Sequence, residues 1–391
     1  HILLNICKNF TLSSTMLKRF AVENYRLFDQ RIEFDLARTH NYGFNKNLIR
    51  NGLVNKAMIV GKNGCGKTSF GFALFDIVYT LTDKGYDAHQ KDSSNFLNGD
   101  SCKKFASFEY EFQFDDVRVE YMYGKAAPDI IVYEKFRVGG KDVFIRDGID
   151  GHNDYTGLGD YGAGSLNVNI ANGPLSVLRY VVNNTVQEDG SPLSRVISFV
   201  SRMLYFRFLQ DNSYIGIIQG RETIEDYLIR NGKVKDFQRY LKEMADIEVD
   251  LDVVKMDGMP DIFVQNTGNK LLNFKSVASS GTRALMLFYY WLNHFDEVSF
   301  IFVDDFDAFY HFELSEAIIR QLNDLSDIQS VVTTHNTSLF DNGLLRPDCY
   351  FNLENGRMRS FAEISDRDIR AGHSLESSIR SEAGRSFRST A

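Results

Sequence analysis

The stretch that most constrains this chain is VGKNGCGKTSF, positions 60–70, set directly after the apolar run AMIV. Gly61, Gly66, Lys67 and Thr68 satisfy the spacing G-x-x-x-x-G-K-[ST]. Gly64 adds a further residue without a Cβ, so the backbone can curl tightly. A short strand at 57–60 precedes the loop, and behind it Phe70, Leu74, Ile77 or Val78, and Leu81 recur at helical spacing. Strand, glycine-rich loop and helix in that order aim backbone N–H groups and a helix N-terminus at a phosphate. The pattern therefore gathers Gly61, Asn63, Gly64, Cys65, Gly66, Lys67, Thr68 and Ser69 around a nucleotide, ATP. Lys67 would reach the β and γ oxygens, and the Thr68 hydroxyl would ligate Mg²⁺.

At 391 residues the chain exceeds what one hydrophobic core usually serves, so at least two lobes are expected, and its 43% hydrophobic content can fill both. A net charge of −8 provides no general basic field: DNA binding is possible through a local patch but not implied. Cys7, Cys65, Cys102 and Cys349 form no C-x-x-C pair, which argues against a disulfide framework or zinc site and fits a reducing, cytoplasmic setting. No apolar run approaches the ~20 residues that span a bilayer, so no membrane association is expected. Residues 1–15, ahead of and just short of Met16, read as an upstream extension.

From Met16, MLKRFAVENYRLFDQRIEFDL predicts two strands, with Phe20 and Val22 alternating in the first and Ile32, Phe34 and Leu36 in the second, both feeding the sheet that carries the loop. FASFEYEFQFDDVRVEYMYG predicts an antiparallel hairpin turning at Asp115 and Asp116. Residues 138–173 are rich in Gly, Asp and Asn with little periodicity and read as a long loop or lid. SRVISFVSRMLYFRFL and ETIEDYLIRNGKVKDFQRYLKEM predict helices, the second with Ile224, Leu228, Val234, Phe237, Leu241 and Met244 on one face. A second α/β half follows, with a strand at 300–303, a helix at 314–325 and a strand at 330–333. The resulting division is extension 1–15, first lobe with the loop 16–124, lid and helical insertion 125–249, second lobe 250–364 and polar tail 365–391. The insertion, which the loop chemistry does not need, is the expected partner or trigger surface. The Arg-rich tail reads as a docking segment or a partly disordered terminus.

VSFIFVDDFDAFYH is an apolar strand ending in Asp304 and Asp305. The carboxyl edge of a parallel sheet beside such a loop is where a metal must be held, so Asp304 would hold Mg²⁺ directly or through water. Asp305 would orient or deprotonate the attacking water. In SVASSGTRALMLFYYWLN, Ser279, Ser280 and Gly281 open an apolar helix, either as a second anion-binding N-terminus or as an ordinary Ser cap. SVVTTHNTSLF predicts a strand ending at His335, which could hydrogen-bond the γ-phosphate or the attacking water.

Phosphate loop, Ser-Ser-Gly helix, acidic strand and His strand, in that order, resemble the ABC-type ATPase heads. With MLKRFAVENYRLF near the start and LLRPDCYFNLENG near the end, the chain is similar to the stand-alone ATPases related to RecF, the SMC heads and the OLD proteins, the AAA-15 group. The resemblance covers 16–124 and 250–364. It implies an α/β fold, a P-loop ATPase head of mixed sheet, flanking helices and an antiparallel β-subdomain, carrying a helical insertion. It also implies a homodimer, or a larger assembly of dimers, in which Ser279, Ser280 and Gly281 of one subunit close on the γ-phosphate held by Lys67 of the other. Thr282 stands where acidic residues or Gln are frequent, and Asp305 where Glu is usual. The shorter Asp implies slow hydrolysis. Gln113 is a candidate for the Q-loop glutamine by position alone. Members without a long coiled coil or a Toprim segment resemble the ATPase subunits of anti-phage systems of the Septu or RloA-like kind, which act with a separately encoded effector such as a nuclease. A RecF-like DNA clamp and an ATP-gated scaffold with negligible turnover are the rival expectations.

Overall fold

The computed structural model describes residues 15–84, 93–115, 117–207, 213–216, 223–256, 259–265 and 270–364. The readings of residues 1–14 and of the tail 365–391 lie outside them. Two seven-stranded sheets carry the fold. In the first, five parallel strands run in the order Met203–Arg207, Phe300–Asp304, Gln329–Thr334, Lys56–Val60 and Tyr350–Glu354, with antiparallel strands Ser213–Gly216 and Arg357–Ser360 at its edges. The other is antiparallel throughout and contains Thr15–Glu23, Ile32–Asp35, Ala106–Phe114, Val117–Ala127, Ile130–Val138, Lys141–Asp147 and Asn153–Asp154. Parallel sheet, flanking helices and antiparallel β-subdomain make the mixed α/β architecture that was expected.

Between the sheets lies the helix Lys67–Leu81, buried along almost its whole circumference. On one side Phe70 meets Phe20 and Phe34 edge-on, both at 5.5 Å, and the Tyr110 hydroxyl donates to the carbonyls of Ala73 and Leu74 at 3.0 and 3.2 Å. On the other, Phe75 packs on Tyr205 at 5.0 Å and on Phe302 at 6.2 Å. Each such ring contributes ~1.5–3 kcal/mol by leaving water, so the helix that opens at Lys67 is fixed from both faces.

Four sequence expectations change. The first two strands form as read, but they join the antiparallel sheet rather than the sheet bearing the loop: Phe20 faces Phe34 across one ladder and Tyr110 across the other. The stretch 138–173 is not simply a loop. Val138 ends a strand, the glycines at 139 and 140, both at positive φ, turn the chain, and Lys141–Asp147 pairs back to extend the sheet. SRVISFVSRMLYFRFL splits into the helix Pro192–Ser201 and the strand Met203–Arg207, which pairs in parallel with the acidic strand from Met203–Phe300 to Arg207–Asp304. Segment 125–249 is therefore woven into both sheets. Its helix Val177–Asn184 is held there by Glu134, a fully buried carboxylate that accepts from the N–H groups of Val177 and Leu178 at 2.8 and 3.0 Å. The second predicted helix breaks at Gly232 into Ile224–Arg230 and Val234–Ala245.

Candidate nucleotide site

The loop leaves the strand Lys56–Val60 at Gly61, where any Cβ would come within 2.6 Å of the Leu353 carbonyl oxygen and collide with Cys65 Sγ. Gly64 and Gly66 have φ of 79° and 108°, which side-chain-bearing residues rarely adopt, so the curl read from the sequence is a backbone requirement. Lys67 opens the helix with its side chain folded back inside the loop. Its Nζ donates to the Gly61 carbonyl at 3.0 Å and lies 3.7 Å from Asp305 Oδ1, and the side chain is 5% exposed.

A cavity of about 510 Å³ opens over the loop. Asn63, Gly64, Gly66, Lys67, Thr68 and Ser69 line one side, Asp305 and His335 the other, and Leu27 and Ala308 add apolar wall. The loop, the second acidic residue and the histidine, far apart in sequence, thus meet at one opening. They do so because the strands Lys56–Val60 and Phe300–Asp304 both pair with Gln329–Thr334, which puts their carboxyl ends side by side.

Asp304 lies beneath this opening, 7% exposed. Thr333 Oγ1 donates to its Oδ1 at 2.8 Å, the Tyr205 hydroxyl donates to Oδ2 at 3.4 Å, and the Thr68 hydroxyl also bonds it. Burial pushes its carboxyl above the usual range, against the hydrogen bonds from Thr68 and Thr333. Burial likewise raises Asp307, whose Oδ2 accepts from Thr334 Oγ1 at 2.8 Å. Asp305 stands in the left-handed region at φ 42°, a conformation that Asp and Asn tolerate better than Glu does. Its Oδ1 is buried without a hydrogen-bond partner.

The Ser-Ser-Gly segment does not line this cavity. Ser279 caps the helix Ser280–Leu292, accepting from the Thr282 N–H at 3.1 Å, so the plain N-cap role is filled. At Gly281 a Cβ would sit 3.1 Å from the Phe309 carbonyl oxygen, which ties this helix start to the segment after the acidic strand. Gln113 is absent from the cavity: its amide donates to the Asp115 carbonyl at 2.7 Å, at the tip of the hairpin. Tyr205, Thr333 and Leu27 belong to the site although no local pattern marked them.

The residues fit a magnesium nucleotide. An inward-turned ammonium, two glycines at positive φ, a helix N-terminus and a carboxylate oxygen that accepts no hydrogen bond surround one opening. Among the described residues no group of three or more His, Cys, Asp or Glu side chains could hold a metal alone, so Thr68 and Asp304 would share Mg²⁺ with the phosphates.

A family model described as "AAA domain, putative AbiEii toxin, Type IV TA system" matches residues 56–341, well over half of the chain. The chain belongs to this AAA family. The matched region starts at the loop strand and ends just beyond His335, so it spans every residue of the cavity except Leu27. Among solved structures, an SMC head bound to the C-terminal winged-helix domain of ScpA is 13% identical, with 93% of this chain and 99% of that one covered at a TM-score of 0.43. The SMC head domain of Thermotoga maritima is 14% identical, covering 88% and 97% at 0.39. The recombination mediator RecF with ATP is 12% identical, covering 89% and 99% at 0.39. No curated protein matches the chain. Among the described residues no helix is long and apolar enough to cross a membrane.

Proposed function

We propose that this AAA domain binds ATP with Mg²⁺ and hydrolyses it slowly, and that it closes as a homodimer to control a separately encoded effector in anti-phage defence. The observation that carries the catalytic part is the convergence of Lys67, Thr68, Asp305 and His335 on one cavity, with Asp304 hydrogen-bonded beneath Thr68. Lys67, released from the Gly61 carbonyl, supplies a charge-assisted contact to the β and γ oxygens. The N–H groups of 64–69 and the helix start cradle the phosphates. Asp305, whose buried Oδ1 accepts no hydrogen bond and lies 3.7 Å from Lys67 Nζ, is the group that accepts a proton from or orients the attacking water. His335 across the opening donates to or accepts from the same centre. Bound Mg²⁺ would neutralise phosphate charge and orient the chain for in-line attack. Thr68 and Asp304 are the residues that hold it.

Dimerisation draws support from the exposed Ser279 and the half-buried Ser280 and Gly281, whose helix start lies outside the cavity of its own subunit. The family description, "putative AbiEii toxin, Type IV TA system", names a two-component arrangement, which supports a partner protein. Steady-state ATP turnover with Mg²⁺, with EDTA, and with Asp304→Asn tests the catalytic part. Turnover that survives either EDTA or the substitution excludes it. Light scattering with and without ATP tests closure, and a mass that does not change with nucleotide excludes the dimer switch.

A further inference from the structure

Backbone pairing between the acidic strand and its neighbour Gln329–Thr334 ends at Val303 and Val332. Beyond that pair Thr333 continues the connection. Thr333 Oγ1 donates to Asp304 Oδ1 at 2.8 Å and accepts from the Asp305 N–H at 2.8 Å, and the Thr333 carbonyl accepts from the Phe306 N–H at 3.1 Å. Three consecutive residues of the acidic turn are thus tied to one threonine, which is fully buried. On its other side the Thr333 backbone pairs with Ile59, two residues before the loop begins at Gly61. The hydroxyl is therefore mounted rigidly between the phosphate loop and the carboxylates.

We propose that Thr333 is the positioning residue of this site: its hydroxyl orients the metal-side carboxylate Asp304 and at the same time holds Asp305 in the backbone conformation that aims its carboxylate into the cavity. The inference rests on the ATPase reading above and adds the element that sets its geometry. Asp305 at φ 42° is a conformation that persists only when its surroundings over-determine it. Without the Thr333 hydroxyl the Asp305 N–H has no acceptor at that position and Asp304 loses a donor, so the turn relaxes toward an ordinary φ and both carboxylates shift. The next residue repeats the device, since Thr334 Oγ1 donates to Asp307 and accepts from the Asn336 N–H at 2.9 Å, strapping the turn that contains His335. The acidic turn and the histidine turn are consequently anchored by adjacent hydroxyls of one strand and keep a fixed spacing.

A threonine inside a strand also serves as a β-branched filler, and substitution separates the two roles because they rank the variants in opposite order. If only packing matters, Thr333→Val is neutral and Thr333→Ser is the damaging change. If the hydroxyl positions the acids, Thr333→Val lowers kcat about 100-fold with little change in KM for ATP, as expected for a displacement near 1 Å, and Thr333→Ser recovers most of the loss. A second readout needs no turnover: hydrogen exchange at the Asp305 amide accelerates in Thr333→Val and stays near wild type in Thr333→Ser. Thr333→Cys, which retains size with a weak donor, replaces the valine variant if that one does not fold. Wild-type kcat together with unchanged Asp305 exchange in the valine variant overturns the proposal. So does a serine variant as slow as valine. A wild-type protein without ATP turnover counts against the ATPase reading, and the exchange measurement then decides the role of Thr333 by itself.

Discussion

At the seam between the helix Lys67–Leu81 and the antiparallel sheet, Lys125 Nζ and Asp76 Oδ2 form an ion pair of 2.7 Å in which each side chain is only 2% exposed. The Tyr123 hydroxyl donates to the same oxygen at 2.8 Å and the Thr80 hydroxyl at 3.2 Å. Burial drives the Lys125 ammonium below its ordinary range, with Asp76 opposing that shift. Lys125→Met leaves a buried carboxylate without its cation, and Asp76→Leu leaves a buried ammonium without its anion; each change costs ~3–5 kcal/mol. The double variant removes both charges of the pair and takes one acceptor each from the Tyr123 and Thr80 hydroxyls, which keep the Tyr110 hydroxyl at 3.4 Å and the Asp76 carbonyl at 3.0 Å, ~1–3 kcal/mol in all. Two single losses that would sum to ~6–10 kcal/mol should thus collapse to less than either alone. Urea unfolding at low temperature, followed through the buried Trp291, measures all four corners of the cycle. A double variant whose loss equals the sum of the singles refutes the reasoning, because it would mean that neither charge depends on the other.

Asp305→Asn keeps a residue that tolerates φ 42° but removes the base, so ATP binding should persist while single-turnover hydrolysis slows by ~100-fold or more; an unchanged rate would transfer the role to Asp307. Ser280→Arg places a bulky cation at the helix start next to the Ser279 cap, and should abolish the ATP-dependent rise in mass by light scattering while leaving nucleotide affinity intact. Burial pushes Lys56 down to about 7, although its Nζ donates to the Leu325 carbonyl at 2.8 Å and to that of Ile328. An unfolded lysine titrates near ~10.4, so between pH 7 and 10 the unfolded chain binds the extra proton and stability rises with pH by up to ~1.4 kcal/mol per unit. Lys56→Met should remove that rise from the unfolding free energy, and an identical slope in both proteins would contradict it.

The phosphate loop was legible because its chemistry forces residue types: positive φ at 64 and 66 admits glycine, and the helix start needs Lys67 and Thr68 at fixed offsets. The acidic strand and the histidine strand were legible as well, being short apolar runs closed by polar residues. What could not be read was tertiary. The first two strands alternate as strands do, yet nothing local states which sheet they join. MLYFR at 203–207 continues the three-and-four spacing of the helix before it, and only pairing with the acidic strand, about a hundred residues later, makes it β. In the site, the αL backbone of Asp305 and its bond to Thr333 depend on a residue 28 positions away, so the short reach of Asp compared with Glu was visible while the conformational reason for Asp was not.

Calorimetric titration of ATP with Mg²⁺ into the wild-type protein and Lys67→Ala bears most directly on the nucleotide site. Lys67 is the inward-turned cation of the loop, and a charge-assisted contact of ~1.5–3 kcal/mol corresponds to ~10- to 150-fold in affinity. The expected result is saturable binding to the wild type at one site per chain and a loss of at least that size in the variant. Equal affinity in the two proteins, or no binding to the wild type, would contradict it.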